Sequence, residues 1–219
     1  MKIIIRLKDI CKDYSNGKVK NRVLNNFSWD FKKHSFTILA GPSGSGKSSL
    51  LNILATLDEP NSGEYYLDNK RLNFEDKKSL TEIRKKHFGF VFQSFNLIPV
   101  LNALENVELP LTLFDYTRPQ RREMAEKALT LVGLEKKYRN RPGEMSGGEQ
   151  QRTAIARAIV RHPDIIFADE PTANLDKQNA LHIIDLMKKL NEEDGLSFII
   201  ASHDEKVIRT GKEVIRLGE

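Results

Sequence analysis

The sequence predicts an α/β protein in which a mostly parallel sheet carries an antiparallel β subdomain at its N-terminus and an inserted α-helical subdomain. Strand patterns occupy both ends of the chain, and helical patterns follow one another between Gln93 and about Arg161. Short apolar runs, which are typical of buried parallel strands, alternate with helical segments near both ends. This order favours a parallel sheet covered by crossover helices.

The first third of the chain carries strand and turn signals, apart from one helix. Residues 36–40 form a short apolar run, which indicates a buried strand, and residues 48–57 have the spacing of an apolar helix face. The other predicted features are strands at 3–10 and 23–31, a turn around Ser15, Asn16 and Gly17, and a hairpin over 63–72 that turns at Asp68 and Asn69.

The rest of the chain returns to strands after a helical stretch. One predicted helix has Pro119 at its start and Gly133 just past its end. Strands are predicted at 88–92, 165–168 and 198–201, with a helix over 179–190. We therefore expect a single domain over 1–219, with 1–92 and 162–219 forming the core and its antiparallel β subdomain, and 93–161 forming the helical subdomain.

The composition is that of an ordinary globular protein, with 39% hydrophobic and 30% charged residues among 219. No apolar run is long enough to cross a bilayer, and the N-terminus lacks the pattern of a secretory signal, so we expect a cytosolic chain. The net charge of +5 is spread over interleaved basic and acidic residues, which favours a solvated surface over a nucleic-acid-binding arm. The single cysteine, Cys11, excludes an internal disulfide and a cysteine metal cluster, and we expect it to be a small packing residue.

A glycine-rich loop follows the predicted strand at 36–40 and leads into a helix. Its sequence is Gly41-Pro42-Ser43-Gly44-Ser45-Gly46-Lys47-Ser48, which fits the phosphate-binding P-loop pattern. Glycines let backbone N–H groups turn toward phosphate oxygens, and the following helix adds the positive end of its dipole. Lys47 would supply a charge to the β- and γ-phosphates and Ser48 a hydroxyl ligand for Mg²⁺. The alternative is a chance match in a glycine-rich turn, which its position between a strand and a helix disfavours.

Two acidic residues, Asp169 and Glu170, follow the predicted strand at 165–168. The carboxyl ends of parallel strands are where such sheets bind ligands. Asp169 is suited to hold Mg²⁺ through water, and Glu170 to polarise an attacking water. Surface acids before a turn at Pro171 are the alternative.

The segment Ser146-Gly147-Gly148-Glu149-Gln150 permits two interpretations at once. Ser146 and Glu149 have the spacing of a helix capping box. A helix tip led by Ser-Gly-Gly also exposes N–H groups and is therefore an anion site. A second phosphate-binding element on the helical insert suggests a γ-phosphate held from two sides.

Over essentially its whole length, the chain resembles an ABC transporter ATPase. The Ser146 segment resembles the signature motif of that family, and residues 165–170 resemble its Walker B strand with the catalytic glutamate. The resemblance implies a P-loop NTPase core of the RecA-like type. It also implies a homodimer in which each ATP lies between the P-loop of one copy and the signature motif of the other.

The resemblance assigns further roles. Ala173-Asn174-Leu175-Asp176 resembles the D-loop, Gln93 the Q-loop, His203 with Asp204 the switch histidine, and Tyr14 the aromatic that stacks on adenine. The expected catalytic residues are Glu170, His203, Lys47 and Gln93, and the expected Mg²⁺ ligands are Ser48, Gln93 and Asp169. The expected ATP contacts are Tyr14, Gly41, Pro42, Ser43, Gly44, Ser45, Gly46, Lys47, Ser48, Ser49, Ser146, Gly147, Gly148, Glu149 and Asp176.

Departures from the family pattern are small. Met145 replaces the usual Leu and Glu149 the usual Gln of the signature, and Ala201-Ser202 replaces Val-Thr before His203. Segments 92–99 and 103–111 are similar to the branch of lipoprotein-release, macrolide-export and antimicrobial-peptide ATPases. That similarity implies separate membrane permease subunits and a place on the cytoplasmic side of the inner membrane. The apolar residues after Gln93 would then form either a groove for a membrane-subunit helix or the core of the helical insert.

Three functions other than transport also use a P-loop or a related ATPase domain. A DNA-repair or translation ATPase would carry long coiled coils or two ATPase units, whereas this chain has one P-loop and no sustained heptads. A small-molecule kinase would not need Ser146-Gly147-Gly148. An ATPase that regulates cell-envelope or division machinery without transport would have the same sequence features, and only its membrane partners would separate the two.

Overall fold

The structure, a computed structural model, describes residues 2–16 and 19–218. None of the helices among these residues is long and apolar enough to cross a membrane. The strands are β1 (Ile3–Asn16), β2 (Val19–Lys32), β3 (Phe36–Ala40), β4 (Ser62–Leu67), β5 (Lys70–Arg71), β6 (Phe88–Phe92), β7 (Ile165–Asp169), β8 (Ser197–Ser202) and β9 (Glu213–Arg216). The helices are α1 (Lys47–Leu54), α2 (Lys77–His87), α3 (Ala103–Glu108), α4 (Arg118–Leu131), α5 (Gly147–Ile159), α6 (Lys177–Glu193) and α7 (Glu205–Ile208), with 3₁₀ turns at Leu109–Leu113 and Pro142–Glu144.

One compact unit comprises the described residues within 1–86 and 197–219. It contains an antiparallel sheet of order β2-β1-β4-β5 and a parallel arrangement in which β3 pairs with β8 and β9. All five residues of β3 are buried, as the apolar run predicts, and the rings of Phe36 and Phe198 lie 5.6 Å apart between β3 and β8. The predicted antiparallel β subdomain is confirmed.

The first two strands are longer than the predicted ranges 3–10 and 23–31. Asp9 and Asn26 have positive φ values of 51° and 48°, and the pairing register of β1 and β2 shifts around them. Such bulges interrupt the alternation of side chains between the two faces, but hydrogen bonding between the strands continues past them. A prediction based on alternation therefore gives strands that are too short. The predicted turn includes Gly17, which lies outside the described residues.

The helix after the glycine-rich loop is shorter than the predicted range 48–57. It ends at Leu54, and Thr56 has a φ of 54°, which no helix tolerates. Leu57, predicted as part of the apolar face, is half exposed. The hairpin turn is confirmed, since Asp68 and Asn69 both have positive φ between the paired strands β4 and β5.

The second compact unit is residues 87–196. Its strands β6 and β7 are parallel, and the ring of Phe167 packs edge-on against Phe88 at 5.0 Å. Helix α5 is almost fully buried, and α6 buries Ile183, Ile184 and Met187 on one face. Helix α4 begins one residue before Pro119 and ends before Gly133, as predicted. The division of the chain at residues 93 and 161 into core and helical subdomain stays a prediction.

Candidate functional site

The glycine-rich loop occupies the turn between β3 and α1. Gly41 has a φ of 152°, and a Cβ there would lie 2.5 Å from the carbonyl oxygen of Leu217. Gly46 has a φ of 95°, and a Cβ there would lie 2.8 Å from Cγ1 of Val23. Backbone conformation and space therefore both require glycine at these two positions.

Polar groups suited to binding an anion lie inside the glycine-rich loop. The ammonium of Lys47, which is only 7% exposed, donates to the carbonyl oxygens of Gly41 and Pro42 at 2.7 and 2.9 Å. Ser45 Oγ is buried without a hydrogen-bond partner in the described part of the chain. Helix α1 has Gly46 at its N-cap position and no side-chain cap, so the positive end of its dipole faces the loop without a capping side chain. A phosphate group fits this arrangement.

Tyr14 lies on β1 in a cluster that the sequence pattern does not reveal. Its hydroxyl donates to Asp58 Oδ2 at 2.9 Å, and the ammonium of Lys12 lies 5.0 Å from its ring centroid. Lys12 is 7% exposed and bonds Asp58 Oδ1 and the carbonyl of Glu59, each at 2.7 Å. Burial alone would raise the pKa of Asp58, but the hydrogen bonds from Lys12 and Tyr14 outweigh it and leave the pKa lowered. Lys12 and Asp58 thus hold an exposed aromatic ring in one orientation.

Strand β2 connects Tyr14 to the glycine-rich loop. Tyr14 pairs with Asn21 of β2, and Val23, two residues further along, lies against Gly46. Two strand residues span about 7 Å. The backbone position that pairs with Tyr14 and the one that lies against Gly46 are therefore two residues apart on β2.

His203 follows the end of β8, beside the start of the loop. The parallel strands β3 and β8 pair Ala40 with Ser202, so Gly41 and His203 each stand one residue beyond a paired end. The side chain of His203 is exposed, and Asp204 caps α7 through a hydrogen bond from the Lys206 N–H. Within the first unit, the structure thus brings His203 next to the glycine-rich loop.

In the second unit, the ends of β6 and β7 bring Gln93 next to the two acidic residues. Phe92 pairs with Asp169, and Gln93 and Glu170 are the next residues of the two strands. Glu170 has a φ of 45°, a left-handed conformation that costs a non-glycine residue free energy and is frequent at functional sites. Gln93, Asp169 and Glu170 therefore stand together at the carboxyl edge of a parallel strand pair, where α/β proteins bind ligands.

The D-loop segment lies against Gln93. The Gln93 side chain donates to Asn174 Oδ1 at 3.3 Å, and Asn174 Nδ2 donates back to the Gln93 carbonyl at 3.1 Å. Asp176 caps helix α6 by accepting from the N–H groups of Gln178 and Asn179. The hydrogen bond from Asn179 is the main cause that lowers the pKa of Asp176.

We call residues 146–149 the α5 tip. The predicted capping box is confirmed: Ser146 Oγ accepts from the Glu149 N–H at 3.3 Å, and Glu149 Oε2 accepts from the Ser146 N–H at 2.8 Å. Lys137 contacts the other carboxylate oxygen at 3.1 Å. The bond from the Ser146 N–H is the largest influence on the pKa of Glu149, which is lowered. The substitution of Glu149 for the usual Gln therefore adds a negative charge to the tip.

Helix α6 and the D-loop fill the space around the two glycines of the tip. A Cβ at Gly148 would lie 2.5 Å from Asn179 Oδ1, and one at Gly147 would lie 3.3 Å from Leu175. Asn179 is itself held by Asp176, since its Nδ2 donates to Asp176 Oδ2 at 2.6 Å. Gly148 is thus required by packing, a reason that the sequence alone does not provide.

Exposed apolar side chains follow Gln93. Val100 is 73% and Leu113 62% exposed, and Ile98 and Leu109 are also exposed. The fully buried Asn106 fixes this segment by accepting from the Ile98 N–H and donating to the carbonyls of Ile98, Leu101 and Asn102. Other apolar residues of the same stretch are buried, among them Leu104, Val107 and Leu111. The core interpretation is therefore correct for the buried residues, whereas the groove for a membrane-subunit helix concerns only the exposed ones and stays a prediction.

A cavity of about 320 Å³ lies between α3 and α4, with Glu108, Arg118, Arg122 and Tyr138 in its lining. Burial raises the pKa of Glu108, and the nearby arginines oppose this. None of the predicted site residues lines this cavity.

The loop between β3 and α1, with the acidic pair that follows β7, defines a nucleotide-hydrolysing protein of the P-loop class. A family model described as ABC transporter matches residues 24–173. The ABC transporter ATP-binding protein MJ0796 of Methanocaldococcus jannaschii, described as uncharacterized, is 47% identical over 219 residues, which covers 98% of this chain and 93% of the relative. The chain belongs to the ABC transporter family.

Two further comparisons agree. The lipoprotein-releasing system ATP-binding protein LolD of Francisella tularensis is 39% identical over 216 residues, or 98% of this chain and 94% of LolD. A structure described as a dimeric, post-hydrolysis state of MJ0796 bound to ADP and Pi superposes with a TM-score of 0.88 at 45% identity, covering 98% of this chain and 94% of that one. The predicted fold is confirmed, and the chain is an ATP-binding and ATP-hydrolysing subunit of an ABC transporter. The roles assigned to single residues stay predictions.

Proposed function

We propose that two copies of this chain clamp two ATP molecules, and that closing and reopening of the dimer drives separate membrane subunits. Each ATP would contact the glycine-rich loop of one copy and the α5 tip of the other. The observation that carries this proposal is the contrast within one chain between an uncapped, phosphate-ready helix end at Gly46 and a second glycine-led helix end at Ser146. The relative MJ0796 is described as a dimer in its structures. A ligand that touches both copies stabilises the closed state by its differential affinity for that state.

We propose that Mg²⁺ binds together with the nucleotide. Ser48, Gln93 and Asp169 offer hydroxyl, amide and carboxylate oxygens, which are the hard ligands that this ion prefers. When bound, the ion would neutralise charge on the phosphate oxygens. Lys47 would bind the β- and γ-phosphates, with its ammonium already directed into the loop.

Glu170 would accept a proton from the attacking water, and His203 would contact the γ-phosphate. The left-handed backbone of Glu170 supports this role, because strain of this kind persists where the surroundings hold a side chain in a required place. Tyr14, held by Lys12 and Asp58, would stack on the adenine.

The exposed apolar residues after Gln93 would receive a helix of the membrane subunit, with this chain bound to the cytoplasmic side of the inner membrane. Val100 and Leu113 are the most exposed of these residues, and together with Ile98 and Leu109 they offer apolar surface within one short stretch of the chain. Similarity to LolD, the ATP-binding protein of a lipoprotein-releasing system, supports release of a lipoprotein. Peptide or macrolide-like cargo follows only from the resemblance of segments 92–99 and 103–111 to the export branch. Identification of the proteins that co-purify with this subunit from membranes tests both the partner and the cargo class.

The variant Glu170→Gln tests the assigned chemistry. We expect steady-state ATP hydrolysis to fall at least about 100-fold, because general-base catalysis contributes at least that much. ATP binding is expected to stay within about twofold of wild type, since no proton transfer is needed to bind. The ATP-bound dimer should accumulate on size exclusion. Glu135→Gln, an exposed carboxylate on the same unit, serves as control. Normal turnover by Glu170→Gln would remove Glu170 from the mechanism.

A further inference from the structure

The segment that follows Gln93 is held in an unfavourable backbone conformation. Phe95 and Asn96 have φ values of 60° and 50°, the left-handed region that non-glycine residues seldom adopt. Because this conformation is strained for both residues, surrounding contacts must stabilise them. They lie two and three residues after Gln93.

One side chain holds both residues through their carbonyl oxygens. Arg157 of α5 donates from Nη2 to the Phe95 carbonyl at 2.7 Å and from Nη1 to the Asn96 carbonyl. Burial of the guanidinium lowers the pKa of Arg157. A planar guanidinium can bridge two neighbouring acceptors, which a lysine ammonium does not do in the same geometry.

The ring of Phe95 also lies beside the other end of α5. A Cβ at Gly147 would lie 3.9 Å from Phe95 Cζ. Ten helical residues separate Gly147 from Arg157, a distance of about 15 Å along the helix axis. The segment after Gln93 is therefore tied to α5 at both the tip and the far end.

We propose that Arg157 is a positioning residue that fixes Gln93 by holding Phe95 and Asn96 against α5. The proposal rests on the role of Gln93 proposed above. Since α5 begins at Ser146, any movement of this helix would be transmitted to Gln93 through Arg157.

The variant Arg157→Lys tests this role, because it keeps the charge and the aliphatic stem but loses the bridging geometry. We expect kcat to fall about tenfold or more, as is usual when a supporting partner of an active-site group is lost. The KM for ATP should stay within about twofold, because the glycine-rich loop and Tyr14 are untouched. Arg122→Lys, which alters an exposed arginine bonded to Glu126 on α4, is the matched control and should leave kcat unchanged.

A double-mutant cycle with Gln93→Ala separates positioning from general destabilisation. If Arg157 acts through Gln93, Arg157→Lys should lower kcat less than about twofold in the Gln93→Ala background. An equal loss in both backgrounds, or wild-type kcat in Arg157→Lys alone, would overturn the proposal. Wild-type kcat in Gln93→Ala would instead overturn the role of Gln93 itself. Circular dichroism melting of each variant verifies that it is folded.

Discussion

The two helix ends that the sequence marks as anion sites are built in opposite ways. Helix α1 begins at Gly46 without a side-chain cap, next to the buried Lys47 and a Ser45 hydroxyl that has no partner within the described residues. The α5 tip carries its own side-chain cap, because Ser146 and Glu149 satisfy each other's backbone N–H groups. The first end is ready for phosphate in a single copy, whereas the second carries a carboxylate and gains little from binding an anion alone. This difference predicts an order: ATP binds first at the glycine-rich loop, and the α5 tip of another copy joins afterwards.

The largest effect, a loss of ATP affinity, is expected from Lys47→Met. This variant removes the positive charge from the glycine-rich loop, where ATP is expected to bind first. Hydrogen bonds to charged groups contribute about 1.5–3 kcal/mol, so ATP affinity should fall about 10- to 150-fold. Calorimetric titration of ATP measures the affinity directly, and the stabilisation of the protein by ATP should decrease with it. Lys127→Met, an exposed lysine paired with Glu123, is the control. Equal ATP affinity in Lys47→Met and Lys127→Met would show that the glycine-rich loop is not the end that binds ATP in a single copy.

A smaller effect of a different kind is expected from Ser146→Arg. This variant changes the α5 tip, which is expected to join the ATP already bound to another copy. The variant should bind ATP as a monomer within about twofold of wild type, because the glycine-rich loop is intact, but should not form the ATP-dependent dimer. Size exclusion with light scattering measures this.

Ser146→Ala provides the matched control for Ser146→Arg. It removes the cap, at a cost of about 1 kcal/mol, without adding bulk, and should keep part of the dimer. Loss of monomeric ATP binding in Ser146→Arg would contradict the order of binding.

The sequence predicts the two helix ends well because both depend on local patterns. Each pattern is contained within a few residues: the spacing of Ser146 and Glu149 in one case, and the glycines of residues 41–46 in the other. Strands β3 and β6 likewise have the predicted bounds. Helix α2 was not predicted, because Leu80 is its single buried residue among those described. The segment has too few apolar residues to show a repeat at helical spacing.

The contacts that orient site residues depend on chain segments far apart in sequence. Lys12 meets Asp58 across 46 positions, and Arg157 meets Phe95 across 62. Periodicity reports only on neighbours along one element, so these positioning residues become visible only in the folded chain.

The smallest effect is expected from Glu149→Gln, which gives the α5 tip the residue that the signature motif usually has. Glutamine can still complete the capping box, so the fold should be kept. The substitution removes the carboxylate that, in the proposed dimer, would lie near the triphosphate bound to the other copy. We expect the ATP-dependent dimer to tighten about two- to fivefold, in keeping with the modest size of partly exposed charge interactions.

The effect of Glu149→Gln on the free energy of unfolding should depend on pH, and this dependence tests whether the α5 tip carries a charged carboxylate. The pKa of Glu149 is lowered in the folded chain, chiefly by the bond from the Ser146 N–H, so its contribution to stability is present above the ordinary glutamate pKa of about 4.3. That contribution is lost as the pH falls through the folded pKa. The difference in unfolding free energy between wild type and Glu149→Gln, measured by urea titration, should therefore be largest near pH 7 and vanish at low pH. A difference that stays constant down to low pH would show that the carboxylate at the α5 tip does not act through its charge.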